Sequence, residues 1–466
     1  MNERIPARVI ETIDPGKPAR PLEGAIHTRS FTGRYRTLRM LGSGFLFLLF
    51  FGTVWLTWND RQAVLWDLAN RQFHIFAATF LPQDFILLSA LLIICAFGLF
   101  FITVAAGRVW CGYTCPQSVW TWVFMWVEKV TEGDRNQRIK LDAAPWSWNK
   151  LRKRGAKHGL WLGISLVTGL TFVGYFTPIR GLLQDLLELR LLDAGVLWVV
   201  GFAAATYLNA GWLREKVCRD MCPYSRFQSV MFDRDTLLIA YDSARGEPRG
   251  ARRKDSEPRA AGLGDCIDCT LCVQVCPTGI DIRDGLQLEC IGCGACIDAC
   301  DTVMDKLGYA RGLVRYTSER ELDGGRTRWL RPRLVGYAIA LSVMIALFIW
   351  ALAARPLLSL DVTRDRGLFR ENTEGQIENI YRLKLINKTQ SPARYQLALD
   401  AGDALRLNAP AEFRLAAGEI LDIPVSITRV SDRGQGMTTE IRFALRDLDH
   451  PERRVDTPST FIAPQR

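Results

Sequence analysis

The sequence predicts a multi-pass α-helical membrane protein of five spans, with a cytoplasmic bacterial-type double-cluster ferredoxin domain and a C-terminal all-β immunoglobulin-like sandwich. Three observations predict it. Hydrophobic residues make up 48% of the 466 positions and mean hydropathy is above zero, yet 23% are charged. Apolar and charged residues must therefore be segregated, as in a membrane protein with polar domains attached. Eight of the 13 cysteines lie between Cys266 and Cys300 at spacings of two and three, which suits iron–sulfur ligation better than disulfides. Beyond Ala353 the hydrophobic pattern changes to period two, the mark of half-buried strands. The balance of 59 Lys+Arg against 49 Asp+Glu gives +10, a modest and scattered excess with no recognition motif, so nucleic acid is not expected as a partner.

Residues 1–40 carry eight Lys/Arg and no apolar run, too long and polar for the start of a cleaved signal peptide, and read as a cytoplasmic tail. Apolar runs follow at Leu41 to Trp58, Phe85 to Ala105, Leu160 to Phe176, Ala194 to Leu213 and Leu334 to Ala353. Crossing about 30 Å of hydrocarbon takes roughly 20 residues, so these are the five expected spans. Lys+Arg number 8 before the first, 2 in residues 59–84, 10 in 106–159 and 2 in 179–193. By the positive-inside rule the N-terminus, the second loop and the basic stretch 214–333 face the cytoplasm of a bacterial inner membrane, and everything after Ala353 faces the periplasm. The cysteine-rich segment then sits where reduced thiols belong. The expected organisation is a tail (1–40), a four-helix membrane domain (41–232), a basic linker rich in Pro and Gly (233–260), a ferredoxin-like domain (261–333), a fifth helix (334–353) and a periplasmic sandwich (354–466). In the last, Tyr381 to Leu385, Leu421 to Ile427 and Ile441 to Leu445 are strands, with turns at Asn387-Lys-Thr, Ala401-Gly-Asp and Asp432-Arg-Gly.

Cys266-Ile-Asp-Cys269-Thr-Leu-Cys272-Val-Gln-Val-Cys276-Pro277 matches the C-x2-C-x2-C-x3-C-P run of bacterial ferredoxins, and Cys290-Ile-Gly-Cys293-Gly-Ala-Cys296-Ile-Asp-Ala-Cys300 repeats it with Asp301 in place of the proline. Three thiolates so spaced take three corners of a cubane and the fourth cysteine reaches the other cluster. The expected cofactors are two 4Fe–4S clusters, held by Cys266, Cys269, Cys272 with Cys300 and by Cys290, Cys293, Cys296 with Cys276. Structural zinc needs four ligands rather than two interlocked runs.

Four further cysteines lie just beyond two spans, in Trp110-Cys111-Gly-Tyr-Thr-Cys115-Pro116 and Val217-Cys218-Arg-Asp-Met-Cys222-Pro223. An offset of 107 residues takes Cys111 to Cys218, Cys115 to Cys222 and Ser118 to Ser225, an internal repeat of a helical hairpin ending in C-x3-C-P. Positions i and i+4 share a helix face, so each motif presents two sulfurs together, and Pro116 or Pro223 perturbs the helix beside them. Four soft thiols invite a copper site or a third iron–sulfur cluster, and unliganded interfacial thiols are the plainer alternative. Cys95 is read as a small apolar side chain, and Trp120, Trp122 and Trp126 as an interfacial belt. The four histidines offer no haem motif, and neither a Walker loop nor a dinucleotide fingerprint is present.

Hairpins ending in C-x3-C-P, a double ferredoxin run, one more span and a terminal β domain together resemble the CcoG (FixG/RdxA) family of cytochrome oxidase accessory proteins, over nearly the whole chain. The resemblance implies an oxidoreductase, a cupric reductase that supplies Cu(I) for assembly of cbb3-type cytochrome c oxidase, with copper chaperones or transporters and oxidase subunits as partners beside membrane lipid and an electron donor. Cys111, Cys115, Cys218 and Cys222 are then the candidate catalytic residues. Two rivals stand beside this reading: a membrane ferredoxin relaying electrons to or from quinone, and a non-catalytic oxidase assembly scaffold.

Overall fold

The computed structural model describes residues 26–464 except 60, 252–261, 368, 373–374, 403 and 431–436. The chain divides into two compact units, one of residues 1–56 and 89–347, the other of 57–88 and 348–466.

Among the described residues four helices, not five, are long and apolar enough to cross a membrane: Arg34–Trp55, Pro82–Ala106, Ala194–Leu213 and Pro332–Ala353. This corrects the expected count. The region of the third expected span belongs to the 26-residue helix Trp148–Val173, whose first half carries Lys150, Arg152, Lys153, Arg154 and Lys157. Only residues 160–173 of it are apolar, about 21 Å at 1.5 Å per residue against about 30 Å of hydrocarbon. Its charges are used internally: Lys157 Nζ pairs with Glu132 at 2.9 Å, and Lys150 Nζ donates to Ala144 O at 2.6 Å.

In the larger unit, Pro116–Glu132 and Ala194–Thr206 both pack on Trp148–Val173, with Phe124, Val127, Trp161 and Ala210 forming one core patch. Gly169 lies against the Val199 carbonyl, where a Cβ would stand 2.5 Å away, so the two helices meet backbone to backbone. The cysteine-rich segment follows as short helices, Leu271–Gln274 and Ala295–Leu307, flanked by an antiparallel pair of strands, Leu238–Tyr241 with Val314–Thr317. That strand pair revises the expected linker: Ile239 and Tyr241 are buried with Ile297, Met304 and Leu313. The Pro, Gly and charge of the linker begin only at Arg245, whereas Leu-Ile-Ala-Tyr before it has a strand pattern; residues 252–261 lie outside the described residues.

In the smaller unit, Val64–Asp67, Gln72–Ile75 and Ala78–Phe80 form an antiparallel sheet. The expected immunoglobulin-like sandwich is corrected in one respect: the C-terminal strands form two sheets that stay open. One runs Leu405–Asn408, Ile420–Arg429, Ile377–Asn387, Leu358–Arg364, with Arg370–Glu371 beside Ile377–Asn387; the other runs Glu412–Leu415, Ala393–Asp400, Thr438–Asp447, Arg454–Ile462. No strand pairs across from one sheet to the other among the described residues, so each keeps its own edges, while alternate residues such as Tyr381, Leu383, Leu397, Phe443 and Leu445 meet in one core. Asn387 closes the first expected turn by donating from Nδ2 to Ser391 O and Ala416 O, both at 2.9 Å. The turn at Asp432-Arg-Gly lies outside the described residues, as does the last residue of Ala401-Gly-Asp.

A buried carboxylate ties the early loop of this unit to its C-terminal strands. Asp84 accepts from Arg355 Nη2 at 2.8 Å and Lys388 Nζ at 3.1 Å, and all three side chains are buried. Removing the acid leaves two cations unpaired, so Asp84→Asn is expected to cost about 3–5 kcal/mol of stability in a chaotrope unfolding curve. Burial and the charge of Arg61, against the opposing pull of Asp67, hold the His74 imidazole down at about 4. The folded state then binds fewer protons than the unfolded chain between about 4 and 6.5, so stability present above 6.5 is lost as pH falls toward 4. The thermal midpoint should fall through that window, and His74→Gln should flatten the slope.

Candidate functional site

A cavity of about 60 Å³ in the larger unit is lined by Cys111, Cys115, Cys218 and Cys222 together with Cys290 of the second ferredoxin run. The two C-x3-C-P motifs reach it through the same local geometry. The Cys115 N–H donates to Trp110 O at 3.0 Å and the Cys222 N–H to Val217 O at 2.8 Å, an i→i+5 turn in each motif. This departs from a plain i, i+4 helical pair, at the place where the prolines were expected to perturb the helix. The proline explains it: Pro116 and Pro223 have no N–H and each starts a new helix, Pro116–Glu132 and Pro223–Met231, leaving Cys115 and Cys222 as N-caps. The extra residue in the turn is a π-type insertion.

The motifs are held by residues that the spacing did not single out. Arg108 donates to Leu288 O, to Cys290 O at 2.8 Å and to Ser225 O at 3.0 Å, joining the first motif to the second and to the ferredoxin region. Gln228 is 0% exposed, and its Nε2 donates to Cys111 Sγ at 3.4 Å. Gly112 rests on the second ferredoxin run, where an added Cβ would stand 2.7 Å from Gly292 O. Gly292 has φ +65°, a conformation glycine adopts without cost, and faces the Arg108 carbonyl. Ahead of the second motif, the buried Glu128 carboxylate accepts from Arg138 at 2.5 Å and from Arg214, and Gln117 Nε2 donates to Arg214 O at 3.1 Å. Asp298, between Cys296 and Cys300, accepts from the Tyr35 and Arg36 N–H groups at 3.1 and 2.8 Å, which ties the ferredoxin helix to the start of the first span.

The raised thiols are neutral at pH 7. Burial, only partly offset by the Gln228 hydrogen bond, pushes Cys111 up to about 11; burial and then Cys115, Cys111 and Cys222 push Cys218 up to about 12. In the ferredoxin region burial likewise raises Cys272, Cys290 and Cys300 to about 12, and Cys276 and Cys296 upward. Cys300 has Cys272, Cys269 and Cys266 as charge neighbours, and Cys276 has Cys293. The fourth cysteine of each run thus stands near the other run.

The expected cofactor inventory needs correction. Among the described residues no group of three or more His, Cys, Asp or Glu side chains is placed to hold a metal ion. Neither the two sets of four cysteines assigned to 4Fe–4S clusters nor the four membrane-edge thiols assigned to copper or a third cluster forms such a site. The donor chemistry of the two runs suits iron–sulfur binding.

Comparison with known proteins adds what geometry does not. Residues 213–319 match the family described as 4Fe-4S dicluster domain, and residues 348–464 match the one described as IG-like fold at C-terminal of FixG, putative oxidoreductase. Protein RdxA of Cereibacter sphaeroides is 39% identical over 454 residues, covering 92% of this chain and 94% of that protein. The chain belongs to the FixG/RdxA/RdxB family. Protein RdxB of the same organism is 41% identical over 403 residues (82% of this chain, 83% of that protein), and Nitrogen fixation protein FixG of Rhizobium meliloti 37% over 431 residues (84% and 82%). A crystal structure of a FixG-related protein from Vibrio parahaemolyticus is 27% identical over 24% of this chain and all of that chain, with a TM-score of 0.22.

Membership of the FixG/RdxA/RdxB family gives the chain an iron–sulfur binding capacity in residues 213–319 and a redox, electron-transfer character in a multi-pass membrane setting. Within that frame Arg108 and Gly112 are informative because the repeat breaks there: the same offset that aligns the cysteines brings Glu215 opposite Arg108 and Arg219 opposite Gly112. That asymmetry was visible in the sequence and marks the motif that packs on the ferredoxin run. Gly112→Ala should cost about 1–3 kcal/mol by overpacking, read as a lowered thermal midpoint. Gly155→Ala, where an added Cβ meets nothing within 4 Å, is the control and should hold or raise it.

Proposed function

We propose that the chain is a membrane electron-transfer protein that reduces Cu(II) to Cu(I) at the thiol pocket and passes Cu(I) on for assembly of cbb3-type cytochrome c oxidase. The observation that carries this reading is the shared cavity: thiols from two motifs 107 residues apart line one wall with Cys290 of the dicluster domain. Copper is the substrate here, a passing ion. Each Cu(II) takes up one electron and leaves as Cu(I), and the electron originates in an external low-potential donor. The dicluster domain is the part of the chain whose family chemistry is electron transfer. Sulfur favours the product ion, because thiol and thiolate donors prefer Cu(I) to Cu(II). Arg108 and Gln228 act as positioning residues that keep the first motif against the pocket. Copper chaperones or transporters and oxidase subunits are the proposed partners.

The proposed orientation follows from the same cavity. Residues 108–118 and 215–228 line one pocket and so lie on one side of the membrane, which requires that the packed pair Trp148–Val173 and Ala194–Leu213 enter and leave the membrane on that same side. The ten Lys/Arg of residues 106–159 make that side the cytoplasm. The helices Arg34–Trp55 and Pro82–Ala106 then return the N-terminus to the cytoplasm, and Pro332–Ala353 carries the C-terminal domain to the periplasm.

The test uses the full chain, reduced anaerobically and freed of reductant before Cu(II) is added, with Cu(I) counted by a Cu(I)-specific chelator. Wild-type protein should yield Cu(I) in proportion to the electrons stored. The pair Cys111→Ser and Cys218→Ser should slow the reaction about tenfold or more, a rise of about 1.4 kcal/mol in the barrier, with iron content unchanged. An unaltered rate in that variant would sink the role of the thiol pocket.

A further inference from the structure

A second cavity, of about 340 Å³, opens in the larger unit between the start of the first span, the Pro116–Glu132 helix and the dicluster domain. Its wall holds Arg29, Arg36, Arg39 and Lys129, none of which has a carboxylate partner among the described residues. The acids nearby are already engaged. Asp134 accepts from the Ser30 N–H and hydroxyl, both at 2.9 Å, and caps the Arg135–Ala143 helix; Glu128 takes Arg138.

Arg39 is the decisive residue. It is 4% exposed, its Nη2 donates to Ser118 O at 3.1 Å and its guanidinium lies 5.6 Å over the Trp122 ring, yet its Nε has no partner among the described residues. A buried guanidinium without an anion is costly, and an anion entering the cavity relieves that cost. Arg36 and Arg39 stand three apart on the helix and so share a face.

We propose that this cavity binds the phosphate of an anionic phospholipid, whose headgroup bridges the first span to the dicluster domain. Three features favour a lipid over a soluble anion. The cations Arg36 and Arg39 sit in the first two turns of a helix long and apolar enough to span the membrane. Trp122 and Trp126 line the same cavity, as indoles do at the headgroup level. Met40 and Leu41 beyond Arg39, and Val130 beside Lys129, are exposed apolar side chains on which acyl chains can lie. The opposite wall, Val275, Pro277 and Ala295, belongs to the two ferredoxin runs, so an occupied cavity fastens those runs to the membrane helices.

The full chain, delipidated in neutral detergent, is titrated with phosphatidylglycerol, phosphatidylcholine or inorganic phosphate, with binding followed by native mass spectrometry and thermal unfolding. Phosphatidylglycerol should bind saturably and raise the midpoint, with phosphatidylcholine and inorganic phosphate each about tenfold weaker or more. Arg39→Gln should weaken phosphatidylglycerol binding about tenfold. Should that variant not fold, Arg36→Gln combined with exposed Lys129→Gln must show the same loss. Equal binding of the two lipids, or binding unchanged in the variants that fold, overturns the site; inorganic phosphate binding as tightly as the lipid overturns the lipid assignment.

Discussion

The Arg108 guanidinium is the constraint on which the thiol pocket depends, because it bonds carbonyls from two segments far apart in sequence, Ser225 past the second motif and Leu288 and Cys290 in the ferredoxin region. Arginine is suited to such a position. Its five N–H donors lie in one rigid plane and it stays charged when buried, so one side chain can fix several backbones at once. Around it the contacts are backbone on backbone. Gly112 against Gly292 and Cys293 allows an approach that any side chain would prevent, which brings Cys111 to the edge of the second run.

The same economy of buried charge recurs. Glu128 holds Arg138 and Arg214, and Arg214, at φ +42°, carries the chain into the second cysteine motif. A left-handed non-glycine residue stores strain that its surroundings must offset, and the carboxylate does so directly. In the smaller unit Asp84 plays the equivalent part between Arg355 and Lys388. Such ion pairs contribute little net stability over an apolar core, but breaking one is costly, so they select one arrangement of helices and loops.

The family and the chemistry were legible early, since cysteine spacing is a local property that ligation imposes on the chain. The C-x3-C-P repeat was legible for the same reason, and its alignment predicted that two distant motifs share a structure. The identical i→i+5 turns closing on Cys115 and Cys222 agree with it. That Pro116 and Pro223 perturb the helix beside the cysteines was legible in the sequence, whereas the particular i→i+5 turn was not. The fifth span was overcounted because a run of apolar residues was weighed without the charged and polar residues that precede it in the same helix. The strand over Leu238–Tyr241 was hidden for a related reason: four residues of period two are lost beside a long stretch of Pro, Gly and charge.

Composition, period and spacing determined by themselves that the chain is a membrane protein with a double ferredoxin run, a repeated thiol motif and a β-rich C-terminus. Each of these is written in neighbouring residues, where helix and strand periods and ligand spacing act. Only the tertiary structure decided that the four membrane-edge thiols and Cys290 line one cavity, that Arg108 and Gln228 hold Cys111 there, that the C-terminal sheets stay open, and that Arg39 lies buried in a second cavity with no carboxylate partner among the described residues. Those facts depend on side chains far apart in the chain meeting in space. Their hydrogen bonds and desolvation costs are set by what surrounds them after folding, and no local pattern encodes that.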